Sequence, residues 1–203
     1  PRTSLSTLFP MTNKAANIKY LPLTQAYFSQ VVTLANQVHG DGYLDHEKLE
    51  QWTLKGIVKD INCSFVAILD EQVIGFRSTY SANQWSIDQW CSPTLWQLDS
   101  NKCCYFKCNT VDEKYRGLGV GKKLLQLAIE AAKQQGAQAG ISHLWKQSPN
   151  NSAVAYFTKC GGQLIKSHPG KWNEESKQGY DCVFCGFDCR CEAAEMIIYF
   201  SDN

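Results

Sequence analysis

Residues 109–123 read NTVDEKYRGLGVGKK, an apolar strand running through a turn with alternating Gly117, Gly119 and Gly121 into a helix. Glycines in alternation let the backbone approach a ligand closely and point successive N–H groups inward. The helix that begins there adds its unpaired amides and the positive end of its dipole. With Arg116 beside them, these features make an anion site suited to a phosphate or pyrophosphate. Neither common nucleotide motif fits. A P-loop needs Ser or Thr after its glycine-lysine pair, and Gly121 is followed by Lys122 and Lys123. A dinucleotide fingerprint needs its third glycine where Lys122 stands.

The pattern on either side of the loop alternates strands and helices. Leu124, Leu125, Ala128, Ala131 and Ala132 form the apolar face of a helix over 121–135, with Gly136 as its stop. A strand over 140–145, a helix over 152–159, and strands over 163–167 and 194–200 follow. Upstream of the strand at 103–111 lie strands at 63–69 and 72–80, joined by a tight turn at Asp70-Glu71. A strand over 17–23 and two helices, the second over 45–54 with Asp45 as cap, precede them. Residues 1–16 read as a mobile tail, and 81–101 as an irregular insertion whose Trp85, Trp90 and Trp96 either line an acceptor pocket or anchor a long loop. The order β-α-α-β-β-β-α-β-α-β-β predicts one mixed α/β domain over 17–203.

Composition narrows the partners. The chain has 203 residues, with 20 Lys+Arg against 19 Asp+Glu, a formal charge of +1. That balance argues against nucleic-acid binding through bulk charge, which needs clustered cations. No apolar run approaches the ~18 residues of a membrane span. The first twenty residues hold no continuous apolar segment, so the expectation is a cytoplasmic protein without an export signal, with Met11 near a natural start. Of ten cysteines, Cys63, Cys103, Cys104 and Cys108 sit in strand-like segments and read as core hydrophobes.

Residues 111–121, VDEKYRGLGVG, resemble the acetyl-CoA pyrophosphate loop of the GNAT N-acetyltransferases, whose core Arg/Gln-x-x-Gly-x-Gly/Ala is matched by Arg116, Gly119 and Gly121. The downstream spacing Asn150-x-x-Ala153-x-x-x-Phe157-x-x-x-Gly161 is similar to that family too. The resemblance follows element order over about residues 17–168 and is specific over 111–161. It implies a GNAT fold, a mixed central sheet with helices on both faces. It also implies that the amides of Arg116, Gly117, Leu118, Gly119, Val120 and Gly121 hold the pyrophosphate, with Lys122 near outer phosphates. The strand edge at Asn109, Thr110 and Val111 would pair with the pantetheine amides, and Asn150 would sit beside the pantetheine or the departing thiol. The implied activity is acetyl transfer from acetyl-CoA to a primary amine on a small-molecule or peptide acceptor, by a monomer or homodimer. A non-catalytic CoA-binding or partner-binding module on the same fold is the alternative.

Such a transfer needs a base for the amine, a donor to the carbonyl and an acid for the thiol. Phe157 stands where many relatives carry tyrosine and cannot give a proton. Tyr156 is the candidate acid, although one helical residue is a turn of ~100° that aims it to a different side. His143, Asp99, Glu47 and a water chain are candidate bases. Beyond the family pattern, residues 180–192 form a cysteine-rich segment in which Cys182, Cys185, Cys189 and Cys191 are spaced C-x2-C-x3-C-x-C. It reads as a structural zinc site, as reduced thiols, or as two local disulfides.

Overall fold

A computed structural model of the chain describes residues 11–202. From the N-terminal side it runs through helix α1 (Met11–Ala16), strand β1 (Lys19–Pro22), helices α2 (Phe28–His39) and α3 (His46–Lys55), and a ribbon of β2 (Ile57–Val58) and β3 (Ile61–Asn62). Strands β4 (Phe65–Leu69), β5 (Gln72–Tyr80) and β6 (Cys103–Val111) lead into helix α4 (Val120–Gln134). Strand β7 (Ala139–Trp145), helix α5 (Ser152–Lys159), strand β8 (Gln163–Pro169), helix α6 (Asn173–Lys177) and strand β9 (Glu192–Tyr199) complete it. Seven strands make one sheet in the order β1-β4-β5-β6-β7-β9-β8. All neighbours are antiparallel except β6 and β7.

Alternation along each strand sorts the core into two layers. Val66 and Ile68 of β4, Cys103 and Tyr105 of β6, and Ile197 of β9 face one way, onto Val31, Leu34, Leu49 and Trp52 of α2 and α3. Their neighbours Ala67, Leu69, Cys104, Phe106, Met196 and Ile198 face the other way, onto α4 and α5. Local signals set the ends. The Asp45 carboxylate accepts from the Lys48 amide at 2.7 Å and caps α3. Asp70 and Glu71 both take left-handed φ, 49° and 64°, as a tight hairpin between right-twisted strands requires.

Two expectations need correction. The polar stretch after β8 coils into α6 rather than remaining loop, and Met11–Ala16 is helical where the sequence reads as a tail; residues 1–10 of that tail lie outside the described residues. The tryptophans at 81–101 anchor their loop. Trp96 is fully buried and donates to the Glu195 carboxylate at 2.7 Å, the Ser92 amide donates to the same oxygen at 2.8 Å, and Trp85 donates to the Cys103 carbonyl at 3.0 Å. Burial alone would raise the Glu195 pKa, but its donors, His168 foremost, hold it below the usual carboxylate value. Cys63, Cys103, Cys104 and Cys108 are buried, and none of the ten cysteines is in a disulfide.

One irregularity in the sheet opens the edge of β6. β6 and β7 pair only over Cys103–Phe106 and Ala139–Ser142. Beyond that point the edge of β6 that faces β7 is open. In the same place the register with β5 steps from Thr79↔Phe106 to Ser78↔Cys108, leaving Lys107 as a bulge. A bulge bends a strand and re-aims its side chains, here so that Cys108 takes the α2 face.

Candidate functional site

A cavity of about 530 Å³ follows the open edge of β6 from the glycine turn to the far side of the sheet. At one end the chain leaves β6 through a single 3-10 turn and enters α4 with Gly117 and Gly119 at φ 82° and 76°. A Cβ at Gly119 would meet nothing within 4 Å, so the backbone there faces open space. The Lys123 amide donates to the Gly119 carbonyl, but the amides of residues 117–122 have no acceptor among the described residues. Six free N–H groups at a helix N-terminus are a built anion cradle.

Along the middle, the Asp112 amide donates to Ile74 on β5 at 2.8 Å. Strand alternation then turns the amides of Asn109 and Val111 toward the open side. The side-chain oxygen of Asn109 and Nε of Arg77 are buried here without a partner among the described residues. Arg77 Nη2 donates to the Tyr156 hydroxyl at 3.1 Å, and that hydroxyl donates to the Gly121 carbonyl at 2.9 Å. Burial raises the Tyr156 pKa, and the Arg77 guanidinium works against that rise. The helix thus turns the candidate acid Tyr156, and not Phe157, to the cavity. Phe157 is fully buried, edge-on to Phe106 at 6.1 Å, whereas Tyr156 lines the cavity.

Nearer the sheet's other side, Thr110 Oγ1 shares a hydrogen bond with His39 Nε2 at 2.8 Å, and Tyr43 donates to Cys108 Sγ at 3.3 Å. Burial, with Arg116 adding to it, lowers the His39 pKa to about 4, so its imidazole is neutral at pH 7. Lys107, over the Trp52 ring at 5.1 Å, is lowered to about 8 by burial and then by Lys171. His143 lines the cavity with both ring nitrogens engaged, Nε2 donating to the Trp90 carbonyl and Nδ1 accepting from Tyr105 at 2.7 Å. Asp99 caps a 3-10 turn and Glu47 is exposed on α3; neither reaches the cavity.

The cysteine segment closes this end. Cys182 and Gly186 exchange backbone hydrogen bonds at 3.1 and 2.8 Å, a knuckle that folds the four thiols together. All four sulfurs lie within 4.8 Å of one another, with Cys185–Cys191 at 3.5 Å and Cys182–Cys191 at 4.0 Å. A thiolate tetrahedron with ~2.3 Å bonds has edges of about 3.8 Å. Cys182, Cys189 and Cys191 are buried, and all three line the cavity. Burial works to raise the Cys182 thiol, but the amides of Phe184 and Cys185 prevail and leave it lowered. His143, His168 and Glu195 form a second compact group, yet both carboxylate oxygens of Glu195 and both nitrogens of His143 already have protein partners.

Of the residues singled out by sequence, Asn109, Thr110, Val111, Arg116, Gly117, Gly119, Val120, Gly121, Lys122 and Tyr156 line the cavity. Leu118 and Asn150 do not. Leu118 packs into the core beneath the loop with Val120 and Leu124, and Asn150 is exposed at φ 57° while Ser148 and Ser152 line the wall. No residue of 81–101 lines it either, so of the two readings of that insertion the loop anchor is the one observed. Sequence reading missed His39, Cys108, Lys107 and Lys171. A lone histidine before Gly40 and a lysine inside an apolar strand were the only signals.

A model of the acetyltransferase (GNAT) family matches residues 28–162. Among solved structures, Ard1 from Thermoplasma volcanium is similar with TM-score 0.66 and 13% identity, covering 92% of this chain and 99% of that one. The ribosomal-protein-S18-alanine N-acetyltransferase from Escherichia coli gives 0.63 and 13%, covering 92% and 96%. Arabidopsis thaliana Naa50, in complex with a bisubstrate analogue CoA-Ac-MVNAL, gives 0.60 and 14%, covering 91% and 99%. Compared by sequence, no curated protein matches the chain.

Proposed function

The chain belongs to the acetyltransferase (GNAT) family, the acetyl-CoA-dependent N-acetyltransferases, and on that footing we propose that it acetylates a primary amine held in the cavity beside β6. The observation that carries the reading is the row of six unpartnered amides at 117–122, at the mouth of a cavity that follows the open half of β6. Acetyl-CoA supplies the activated acyl thioester. The free amides and the α4 dipole hold its phosphates. The open edge of β6 at Asn109 and Val111 pairs with an extended amide-bearing arm as an added strand would. Amides on that edge are also donors for a carbonyl oxygen.

The side chains divide the protons. His39, kept neutral by burial, accepts the amine's proton at a ring nitrogen once attack on the thioester has made that nitrogen acidic, and Thr110 orients the ring. Tyr156 holds the proton at the other end, where Arg77 donates to its oxygen and favours its charged form. The four thiols of Cys182, Cys185, Cys189 and Cys191 fit a structural zinc, since four protein ligands leave no open position for chemistry. Calorimetric titration with acetyl-CoA and with CoA tests the reading, followed by thioester consumption over a primary-amine panel. Micromolar binding and amine-dependent turnover are expected, with Tyr156→Phe retaining affinity and losing about a hundredfold in rate. Absence of binding by either nucleotide overturns it.

A further inference from the structure

The end of the cavity away from the glycine turn carries positive charge that the protein does not neutralise. Lys171 is only 8% exposed, yet it lines the cavity and meets no carboxylate and no hydrogen-bond acceptor among the described residues. Its Nζ lies 5.6 Å from the centre of the Trp172 ring. Lys107, on the bulge of β6 and half-buried, also lines the cavity without an ion pair, and its Nζ lies 5.1 Å from the centre of the Trp52 ring. A cation over a ring gains about 1 kcal/mol and leaves three N–H donors to satisfy. Lys48 also lines this end, and Glu175, which is exposed, is the one carboxylate there, so cations are in excess. Both ammonium groups reach the cavity, and with no protein anion beside them their donors are open to an anionic group of a bound molecule.

The same end is roofed. The Asp181 amide donates to the Asp41 carbonyl at 3.0 Å, Val183 donates to the His39 carbonyl at 3.4 Å, and the Tyr180 hydroxyl donates to that same carbonyl at 3.0 Å. Gly40 permits this contact, since a Cβ there would stand 1.8 Å from the Asp181 carbonyl oxygen. With the turn after α2 bonded to the cysteine knuckle, no extended chain crosses between them.

We propose that the acceptor is a small molecule carrying a carboxylate or phosphate beside its amine, and that Lys171 and Lys107 hold that anion beneath the roof. The proposal rests on the acetyl-transfer reading and names its substrate class. Calorimetric titration of the CoA-loaded protein with matched pairs tests it without requiring turnover. The probes are tryptophan against tryptamine, 3-aminopropanoate against 3-aminopropan-1-ol, and 2-aminoethyl phosphate against 2-aminoethanol.

At least one anionic member should bind tenfold or more tightly than its neutral twin, and the pair that does so separates carboxylate from phosphate. Lys171→Met should bring that pair within twofold while CoA affinity is unchanged, and Lys171→Arg should keep the preference. Should Lys171→Met fail to fold, Lys107→Gln carries the same readout. Equal binding within every pair, no saturable binding by any anionic member, or a preference that survives both substitutions overturns the proposal. Failure of CoA itself to bind would instead overturn the acetyl-transfer reading, and the same titrations on the CoA-free protein would still read the anion site.

Discussion

At one end of the cavity six consecutive residues, 117–122, offer their backbone amides; at the other, His39, Trp52, Lys107, Lys171 and Tyr180 arrive from four separate stretches of chain. Backbone contacts need only a conformation, which Gly117 and Gly119 supply through positive φ. Side-chain contacts need a fold. The first kind of site tolerates sequence drift around it and suits a ligand common to a whole family. The second kind changes with each inserted loop, and here one wall of it is the cysteine knuckle.

The largest effect should follow from blocking the first end. Gly119→Glu places a side chain and a negative charge where the free amides point, and forces a non-glycine residue to φ 76°. The left-handed conformation costs about 1–2 kcal/mol, which a domain of this size survives. Acetyl-CoA affinity should fall at least 100-fold by calorimetry while the far-ultraviolet circular dichroism is unchanged. A loss of less than tenfold would mean that the phosphates are held by side chains after all, and the contrast between the two ends would collapse.

That contrast also explains what the sequence could and could not say. The loop was legible because its determinants are contiguous: three glycines, Arg116 and the apolar stripe of α4 lie within one short window. The strands and helices were legible for the same reason, through period and caps such as Asp45. Lys107 was not, because a bulge is a mismatch between two strands, and nothing local to β6 announces where its partner slips. The sequence named Tyr156 on α5 but could not say that its side of the helix meets the cavity. Counting from the family spacing puts Phe157 toward the site, but Phe106 and Gly162 take Phe157 into the core, and Tyr156 turns to Gly121 instead. Lys171 and His39 lie about 130 residues apart, and the bonds between residues 39–41 and 180–183, with the Tyr43–Tyr180 ring contact, bring their segments together.

The knuckle offers the next test, because it belongs to one end only. Protein purified without chelator should hold one zinc per chain by elemental analysis. Cys191→Ser should abolish it and lower the melting temperature by on the order of 10 °C, since a structural zinc contributes folding free energy directly. The KM for the amine should rise at least fivefold, while acetyl-CoA affinity moves less than twofold. Equal losses at both ends would show that the knuckle supports the domain as a whole and not the acceptor wall.

The smallest effect expected is on stability against pH, and it arises at the acceptor side. His39 and His143 are both lowered to about 4, His39 by burial and then Arg116, His143 by burial and then Lys171. An unfolded histidine titrates near 6.5, so between about pH 6.5 and 4 the unfolded chain binds protons that the folded one refuses. Their contribution to stability is therefore complete above about pH 6.5, declines as the pH falls, and is fully lost below about 4. Glu195, lowered by its donors, adds a loss of the same sign at more acid pH. The melting temperature should drop by roughly 5 °C from pH 7.5 to 5.0, and His39→Gln should shrink that drop, because a neutral amide in place of the ring no longer competes for a proton. Saturating CoA lies at the other end and should raise the melting temperature at both pH values by a similar amount. If CoA instead removed the pH dependence, the two ends would be coupled through the His39–Thr110 contact, and the imidazole would be reporting on the cofactor as well as on the acceptor.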